Sequence, residues 1–251
     1  MLSQSITATT TAMAAEVSRW PRRQAGLLLI DGRTLKYADL HSFYHQARQI
    51  FGDRLYDFAC DTSAPVVLDC GAHIGLASMA FKERFPGAHI RAFEADAAIA
   101  AMCGDNLAAF GFGDVTVTAA AVWIHENGVS FAASNDDAGH VADQGIHVPS
   151  VRLAAEIAKG PIHLLKLDVE GAEFALLADC ADALTAVERL IVEVHAFDNN
   201  RVGRLLSLLE DKGFRYSLAD LHHATWMKAE SPPPFAACRT DKYYFTVFAW
   251  R

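Results

Sequence analysis

The chain has 251 residues, a length that suits one core of about 180 to 220 residues with appendages. Apolar residues make up 52% and charged residues 21%, with a net charge of −8 and no long block of like charges. This profile excludes a disordered chain and argues against bulk attraction to nucleic acid or to anionic lipid. No run approaches the roughly 18 apolar residues of a membrane helix. Cys60, Cys70, Cys103, Cys180 and Cys238 form no CxxC pair. That speaks against a disulfide framework or a zinc site, and for reduced thiols in a cytoplasmic protein.

The first 16 residues are rich in Ser, Thr and Ala and lack both a basic start and a continuous apolar centre. They read as a frayed terminus rather than a secretory signal, and residues 1–25 are expected to be flexible. Two apolar runs between Leu27 and Tyr37 flank Asp31-Gly32, a dipeptide suited to a tight hairpin turn. Leu40, Phe43, Tyr44, Ala47 and Phe51 then recur at helical spacing. Residues 26–65 thus read as a hairpin-plus-helix cap on the main body.

From Val66 onward, short apolar runs alternate with helical patterns over residues 66–251, the signature of a doubly wound α/β domain with a mostly parallel sheet. The expected strands are Val66 to Cys70, His89 to Glu94, Val115 to Ala120, His163 to Asp168 and Arg189 to His195. One helical stripe runs from Ile99 to Phe110 and another from Val202 to Leu209. Phe214 to Leu218 and Tyr243 to Trp250 are expected as an antiparallel C-terminal hairpin, bringing the Rossmann-like sheet to seven strands. Residues 124–150 interrupt the alternation with turn formers and read as an inserted hairpin plus a mobile loop; its Asn135 to His140 stretch could be a lid or a plain solvated turn.

The strand VVLDC runs into GAHIG and a helix, placing Gly71 and Gly75 in the first strand-to-helix turn. Gly71 can adopt backbone angles closed to other residues and let a ligand approach the main chain, while amides at the helix start offer donors. The spacing is DxGxxxG and lacks the central glycine that makes room for a pyrophosphate, so a pyrophosphate-free nucleoside is favoured. Nineteen residues after Gly75, the second strand ends in Glu94, positioned to accept hydrogen bonds from both ribose hydroxyls.

With these motifs in order, the sequence resembles the FkbM-type methyltransferases, class I enzymes dependent on S-adenosylmethionine, over roughly residues 51–197. The resemblance rests on FGDRLYDF, VVLDCGAHIGLASMAF, RAFEAD, VTVTAAAV, VPSVRLAAEI, HLLKLDVEGAEFALL and RLIVEVHAF, with KLDVEGAE the most specific. The family's usual pattern has Asn where this chain has His73, and Pro where it has Ala95. The resemblance implies that Asp69, Gly71, Ala72 and Gly75 surround the methionine part of the cofactor and that Glu94 holds the ribose. It implies that Asp96 and the region of Ala120, Ala121 and Val122 border the adenine. No acidic residue follows the third strand, so adenine contacts there are expected from backbone groups. It further implies methylation of a hydroxyl on a sugar, glycan or natural product, hence a small-molecule acceptor rather than a nucleic acid or membrane partner.

KLDVEGAE also speaks for itself. On a strand, Lys166 and Asp168 point to one side and Glu170 follows at the mouth of the next loop, while Glu193 and His195 share a side of the following strand. A cation, a base and carboxylates then gather at the carboxyl end of the sheet, where open α/β folds bind ligands. Lys166 and Glu193 read equally well as a buried ion pair that merely satisfies the sheet. His195 is the first choice for the base that takes the hydroxyl proton, because an unperturbed imidazole is largely neutral at pH 7 whereas a carboxylate is a weak base unless buried. A second mechanism has Asp168, Glu170 and His195 hold a magnesium-like cation that lowers the hydroxyl's pKa. His222, His223 and Trp226 are placed in a late loop, either shaping the acceptor pocket or packing the surface. The rival readings are an NAD-dependent oxidoreductase and a non-catalytic cofactor-binding module.

Overall fold

The computed structural model describes residues 1–134, 139–196, 202–223 and 243–251, without the side chains of 220–223. Asn135 to Ala138 of the expected lid, Trp226 and Cys238 lie outside the described residues.

The chain opens with helix α1 (Leu2–Met13), where a frayed terminus was expected. Leu2, Ile6, Thr10 and Met13 form a stripe at helical spacing, and Ile6 is fully buried against the cap. The Ser3 amide and hydroxyl both donate to Glu83, which ties the segment to the body. Short polar residues masked this amphipathic pattern, and tertiary packing supplies what helix propensity does not. Strands β1 (Gly26–Ile30) and β2 (Arg33–Tyr37) form the expected hairpin, with Asp31 and Gly32 both at positive φ. Helix α2 (Leu40–Ala47) follows, capped by the buried Asp39 carboxylate, and a π-helical turn completes the cap over Arg48–Gly52.

The body alternates β3 (Val66–Cys70), α3 (Leu76–Arg84), β4 (His89–Glu94), α4 (Ala97–Ala109) and β5 (Thr116–Ala119). Strand β6 (Ala121–Trp123) leads into the insertion, which supplies β7 (Val129–Ala132), β8 (His140–Val141) and β9 (Ile146–Val148), and β10 (Ser150–Arg152) leads out of it. Strands β7, β8 and β9 make a small antiparallel sheet in the order 8-7-9, and β6 pairs in parallel with β10, so the insertion holds more ordered structure than a hairpin. Helix α5 (Leu153–Ile157), β11 (Leu164–Leu167), α6 (Glu173–Asp179), β12 (Arg189–Ala196), α7 (Val202–Asp211), β13 (Arg215–His223) and β14 (Tyr243–Trp250) complete the chain. His222 and His223 therefore sit on the last residues of β13, not in a loop.

Among the described residues the central sheet has seven strands in the order 13-14-12-11-3-4-5, parallel from β12 to β5 and antiparallel at β14. The expected doubly wound sheet with its antiparallel ending is the one observed. Alternate residues of each parallel strand feed two cores. Val67, Ile90, Leu164 and Ile191 pack with α3, α4 and the cap, whereas Leu68, Leu165, Leu167 and Val192 pack with α5, α6 and α7. The chain runs outward from β3 through β5 and then returns to β11 on the other side of β3. That reversal opens a crevice at the carboxyl ends of β3 and β11, where such sheets bind ligands.

Candidate active site

The crevice is a cavity of about 570 Å³, within the usual range for a small-molecule site. Its floor comes from the turn after β3 and the tips of β4, β11 and β12. Helix α2 and the turn after it add His41, His45, Gln46 and Arg48, and the insertion adds Phe131, Ser134 and Val141.

The Gly71 to Gly75 turn is held tightly by the protein itself. The amides of Gly71 and Ala72 donate to the Phe93 carbonyl at 3.0 and 2.9 Å, that of His73 to Glu94 Oε2 at 2.9 Å, and that of Gly75 to the Ala72 carbonyl at 2.9 Å. The amides at these four turn positions are thus engaged internally. Gly71 has φ +79°, and a Cβ there would lie 1.8 Å from the Asp168 carbonyl oxygen. The neighbouring strand end by itself therefore requires glycine here. Gly75, at φ +93°, packs on Cys103 and does not line the cavity. His73 adopts φ +47°, a left-handed conformation that Asn, Asp and His tolerate better than other side chains, which explains how His substitutes for the family's usual Asn. Its Nδ1 lies 2.9 Å from Gln46 Oε1 and so ties the turn to α2.

Asp69 is fully buried beneath the turn and does not line the cavity; its Oδ2 accepts from the Ser78 hydroxyl at 2.6 Å and its Oδ1 lies 3.4 Å from Lys166 Nζ. Glu94 does face the cavity. Burial pushes its carboxyl up, opposed by hydrogen bonds from the Asp96 and His73 amides, one to each oxygen. A carboxylate oxygen has a second lone pair, so both oxygens can still accept from a ribose. Asp96 borders the cavity while its side chain caps α4 through the Ala98 and Ile99 amides. Ala120, Ala121 and Val122 line the far wall as expected, yet the Ala120 amide donates to the Thr118 carbonyl and the Ala121 amide to that of Pro149. Those two backbone donors are not open to an adenine.

At the other end, the tips of β11 and β12 bring Lys166, Asp168, Glu170, Glu193 and His195 to the same cavity, as their strand positions predicted. Lys166, 3% exposed, donates to the Gly71 carbonyl at 2.6 Å and lies 3.4 and 3.3 Å from the Asp69 and Asp168 carboxylates. Pairing of Lys166 with Glu193, one of the two readings of those residues, does not define the site. Lys166 aligns with Ile191 in register, and its close partners are on β3 and its own strand. It is a strut between β11 and the turn, with its ammonium 5.8 Å from the Tyr56 ring. Burial would lower its pKa, but Asp168, Asp69 and Tyr56 raise it well above the usual lysine range.

Glu173, not singled out from the sequence as a site residue, organises this end. It is fully buried, and its Oε1 accepts from the Val169 amide at 3.2 Å, the Gly171 amide at 3.1 Å and His195 Nδ1 at 3.0 Å. The signal was the final Glu of KLDVEGAE, a carboxylate with no charged neighbour in sequence to balance it. Glu170 is held at φ +53°, an uncommon conformation that aims it at the cavity, with Oε2 3.4 Å from His195 Nε2. Tyr244 of β14 stacks on His195 with ring centroids 6.0 Å apart.

These contacts reverse the protonation expected of His195. Burial alone would lower its pKa, but the Glu173 hydrogen bond and charge, with Glu170 and Asp168, push it up to about 10. The imidazole is therefore the cation of the cluster at neutral pH, and the reason for choosing it as base does not hold. Burial, with the nearby carboxylates, pushes the Glu170 carboxyl up to about 8, and Glu193 likewise to about 8. Asp168, Glu170 and His195 each bring a ligand atom within 4.8 Å of the others, close enough to share a cation. The same negative field would attract such an ion and a proton, which compete for His195 Nε2.

Residues 69–216, more than half of the chain, match the family described as the methyltransferase FkbM domain. Methyltransferase sdnD of Sordaria araneosa is 40% identical over 68 residues, 26% of each chain, so the match spans about a quarter of that relative's length. A methyltransferase FkbM from Methylobacillus flagellatus KT shares 15% identity at a TM-score of 0.45, covering 96% of this chain and 60% of that one. A precorrin-6y C5,15-methyltransferase from Geobacter metallireducens GS-15 shares 16% identity at a TM-score of 0.43, covering 75% and 80%. At these scores the structural likenesses carry nothing about substrate. In the described residues no helix is long and apolar enough to cross a membrane. On the matched domain, which runs from the buried Asp69 of β3 through the KLDVEGAE cluster, this chain belongs to the FkbM methyltransferase family.

Proposed function

We propose that the chain transfers a methyl group from S-adenosylmethionine to a hydroxyl of a small polyhydroxylated acceptor, a sugar, glycan or natural product, in the cytoplasm. The observation that carries this reading is the placement of Glu94 and the Glu170–His195 pair on one cavity. The residues fit the cofactor: Glu94 keeps two lone pairs for the ribose, Ala120, Ala121 and Val122 offer an apolar wall to the adenine, and Gly71 and Ala72 border the methionine part. When bound, the cofactor supplies an electrophilic methyl group on a positively charged sulfur.

The protein's part is to align the acceptor oxygen and take its proton. Glu170, pushed up to about 8, is a stronger base than an ordinary carboxylate and faces the cavity. It accepts the proton, and Glu193, raised similarly, is the second carboxyl that can hold it. His195, held by Glu173, donates through Nε2 and orients Glu170. A divalent cation on Asp168, Glu170 and His195 is the second reading, favoured by the closeness of their ligand atoms. Membership of a methyltransferase family removes the NAD-dependent alternative.

The test is incubation with S-adenosylmethionine and a panel of sugars and hydroxylated natural products, following S-adenosylhomocysteine release and locating the methyl by NMR. The reading expects an O-methyl product; methylation only at nitrogen or carbon, or binding without turnover, overturns it. Turnover that survives EDTA selects the proton route, and loss restored by magnesium selects the cation.

A further inference from the structure

The walls of the cavity differ in charge. Among the described residues, every carboxyl group that lines it, on Glu94, Asp96, Asp168, Glu170 and Glu193, comes from the ends of β4, β11 and β12 and the turns that follow. The chain before β3 contributes Arg22, His41, His45 and Arg48 to the same cavity, and no acid. In a chain of net charge −8 this segregation is not the background. It follows from how α2 is placed. Phe43, Tyr44 and Ala47 are buried in the core, while His41, His45 and Arg48, at i, i+4 and i+7, share the face that lines the cavity. The imidazoles of His41 and His45 lie 4.5 Å apart, and Gln46 fixes the helix over the turn through His73.

The two arginines are held differently. Arg22 Nε donates to the fully buried Asp39 at 3.0 Å, which anchors a guanidinium that also lines the cavity. Arg48 has its side chain 61% exposed, and among the described residues its only charged contact is Asp53, 3.8 Å away and beyond hydrogen-bond range. A guanidinium offers five donors, and cationic neighbours on one helix face repel each other unless an anion lies between them. The carboxylates at the strand tips disfavour an anion, which leaves α2 as the wall that receives it. We propose that the acceptor carries an anionic group, a carboxylate or a phosphate, held by Arg48, Arg22, His41 and His45 while the hydroxyl to be methylated faces the strand tips. The proposal deepens the methyl-transfer reading above and rests on it.

NMR titration of the full chain saturated with S-adenosylhomocysteine tests it, with D-glucose, D-glucuronate and D-glucose 6-phosphate as probes. The anionic sugars should bind roughly tenfold more tightly than glucose, the sum of several weak contacts from partly exposed charges. They should shift the His41 and His45 ring signals and Arg48 Nε, and the tighter of the two distinguishes carboxylate from phosphate. Arg48→Gln should cut the preference about threefold, and a triple variant adding His41→Gln and His45→Gln should bring it close to one. Arg54→Gln removes the same charge outside the cavity, where Arg54 pairs with Asp57, and should leave the preference unchanged. Raising salt from about 50 to about 300 mM should erode it. Equal binding of the three sugars, no binding of the anionic ones at about 20 mM, or a preference that survives the triple variant overturns the proposal. So does S-adenosylhomocysteine affinity that falls with Arg48→Gln, or sugar binding confined to the ligand-free chain, since the wall would then serve the cofactor's own carboxylate. A wild-type chain that does not bind S-adenosylhomocysteine overturns the methyl-transfer reading itself.

Discussion

The two ends of the cavity are built on opposite principles. At the turn after β3, the amides of Gly71, Ala72, His73 and Gly75 all have protein partners, and a ligand meets a finished surface that carries Glu94. At the tips of β11 and β12, like charges crowd a half-buried space, Glu170 is held in an uncommon backbone conformation, and a single buried carboxylate, Glu173, keeps the group in order. A site for recognition can rest in its energy minimum, whereas a site for proton transfer needs groups displaced from their ordinary pKa values.

The most damaging way to break this contrast is at a point where the two ends touch. Gly71→Ala would drive a methyl group into the Asp168 carbonyl, and we expect a loss of about 3 kcal/mol or more. This should appear as a thermal midpoint lowered by roughly 6 to 12 °C in a melting experiment. A variant that melts with the wild type would show that the strand end yields.

Next comes Glu173→Gln, which keeps the shape and removes the charge. Turnover should fall by roughly 10²-fold and the His195 titration followed by NMR should move to lower pH, while affinity for S-adenosylhomocysteine stays close to wild type. Equal losses of cofactor binding and turnover would mean that the two ends are not separable.

The pH dependence sharpens the difference. A carboxyl raised to about 8 is largely protonated at pH 7, so turnover should climb with pH and level off above about 8, and Glu170→Gln should remove that rise. Stability should move the other way. Glu170 and Glu193 are raised from 4.5 and His195 from 6.5, so their contribution is complete below those values. It is lost as pH rises, through about 8 for the carboxyls and about 10 for the imidazole. A thermal midpoint that increases steadily from pH 5 to pH 10 would contradict this assignment.

The smallest effect is expected at the quiet end. Glu94→Ala should weaken S-adenosylhomocysteine by about 1.5 to 3 kcal/mol through lost charge-assisted hydrogen bonds. Unchanged affinity by calorimetry would remove Glu94 from the ribose.

The sheet was legible in the sequence because its strands are apolar runs ended by charged or turn-forming residues; β3, β4 and β14 begin and end where those runs do. Helix α1 was not, because Ser and Thr occupy the positions where strong helix formers usually mark a pattern. Within the site, residue identity was readable and partnership was not. Lys166 and Glu193 were visible as candidates, but the register that puts Lys166 beside Ile191 is a tertiary fact. Glu173 reaches back from α6 to the loop before it and to a different strand, a path that no spacing rule describes. The upward shift of His195 followed from that unseen contact, which is why its protonation was not legible in the sequence.

The bond between Gln46 and His73 separates the unit of comparison from the unit of work. The matched span begins at Asp69, yet Gln46, His45 and Arg48 all belong to the cavity wall and precede it. Sequences aligned over the shared span alone would look interchangeable while differing in the wall that α2 supplies. A chimera that exchanged residues 26–65 between two such proteins would keep the sheet and strand tips intact and replace that wall, which makes this segment the natural cassette for redirecting which molecules enter.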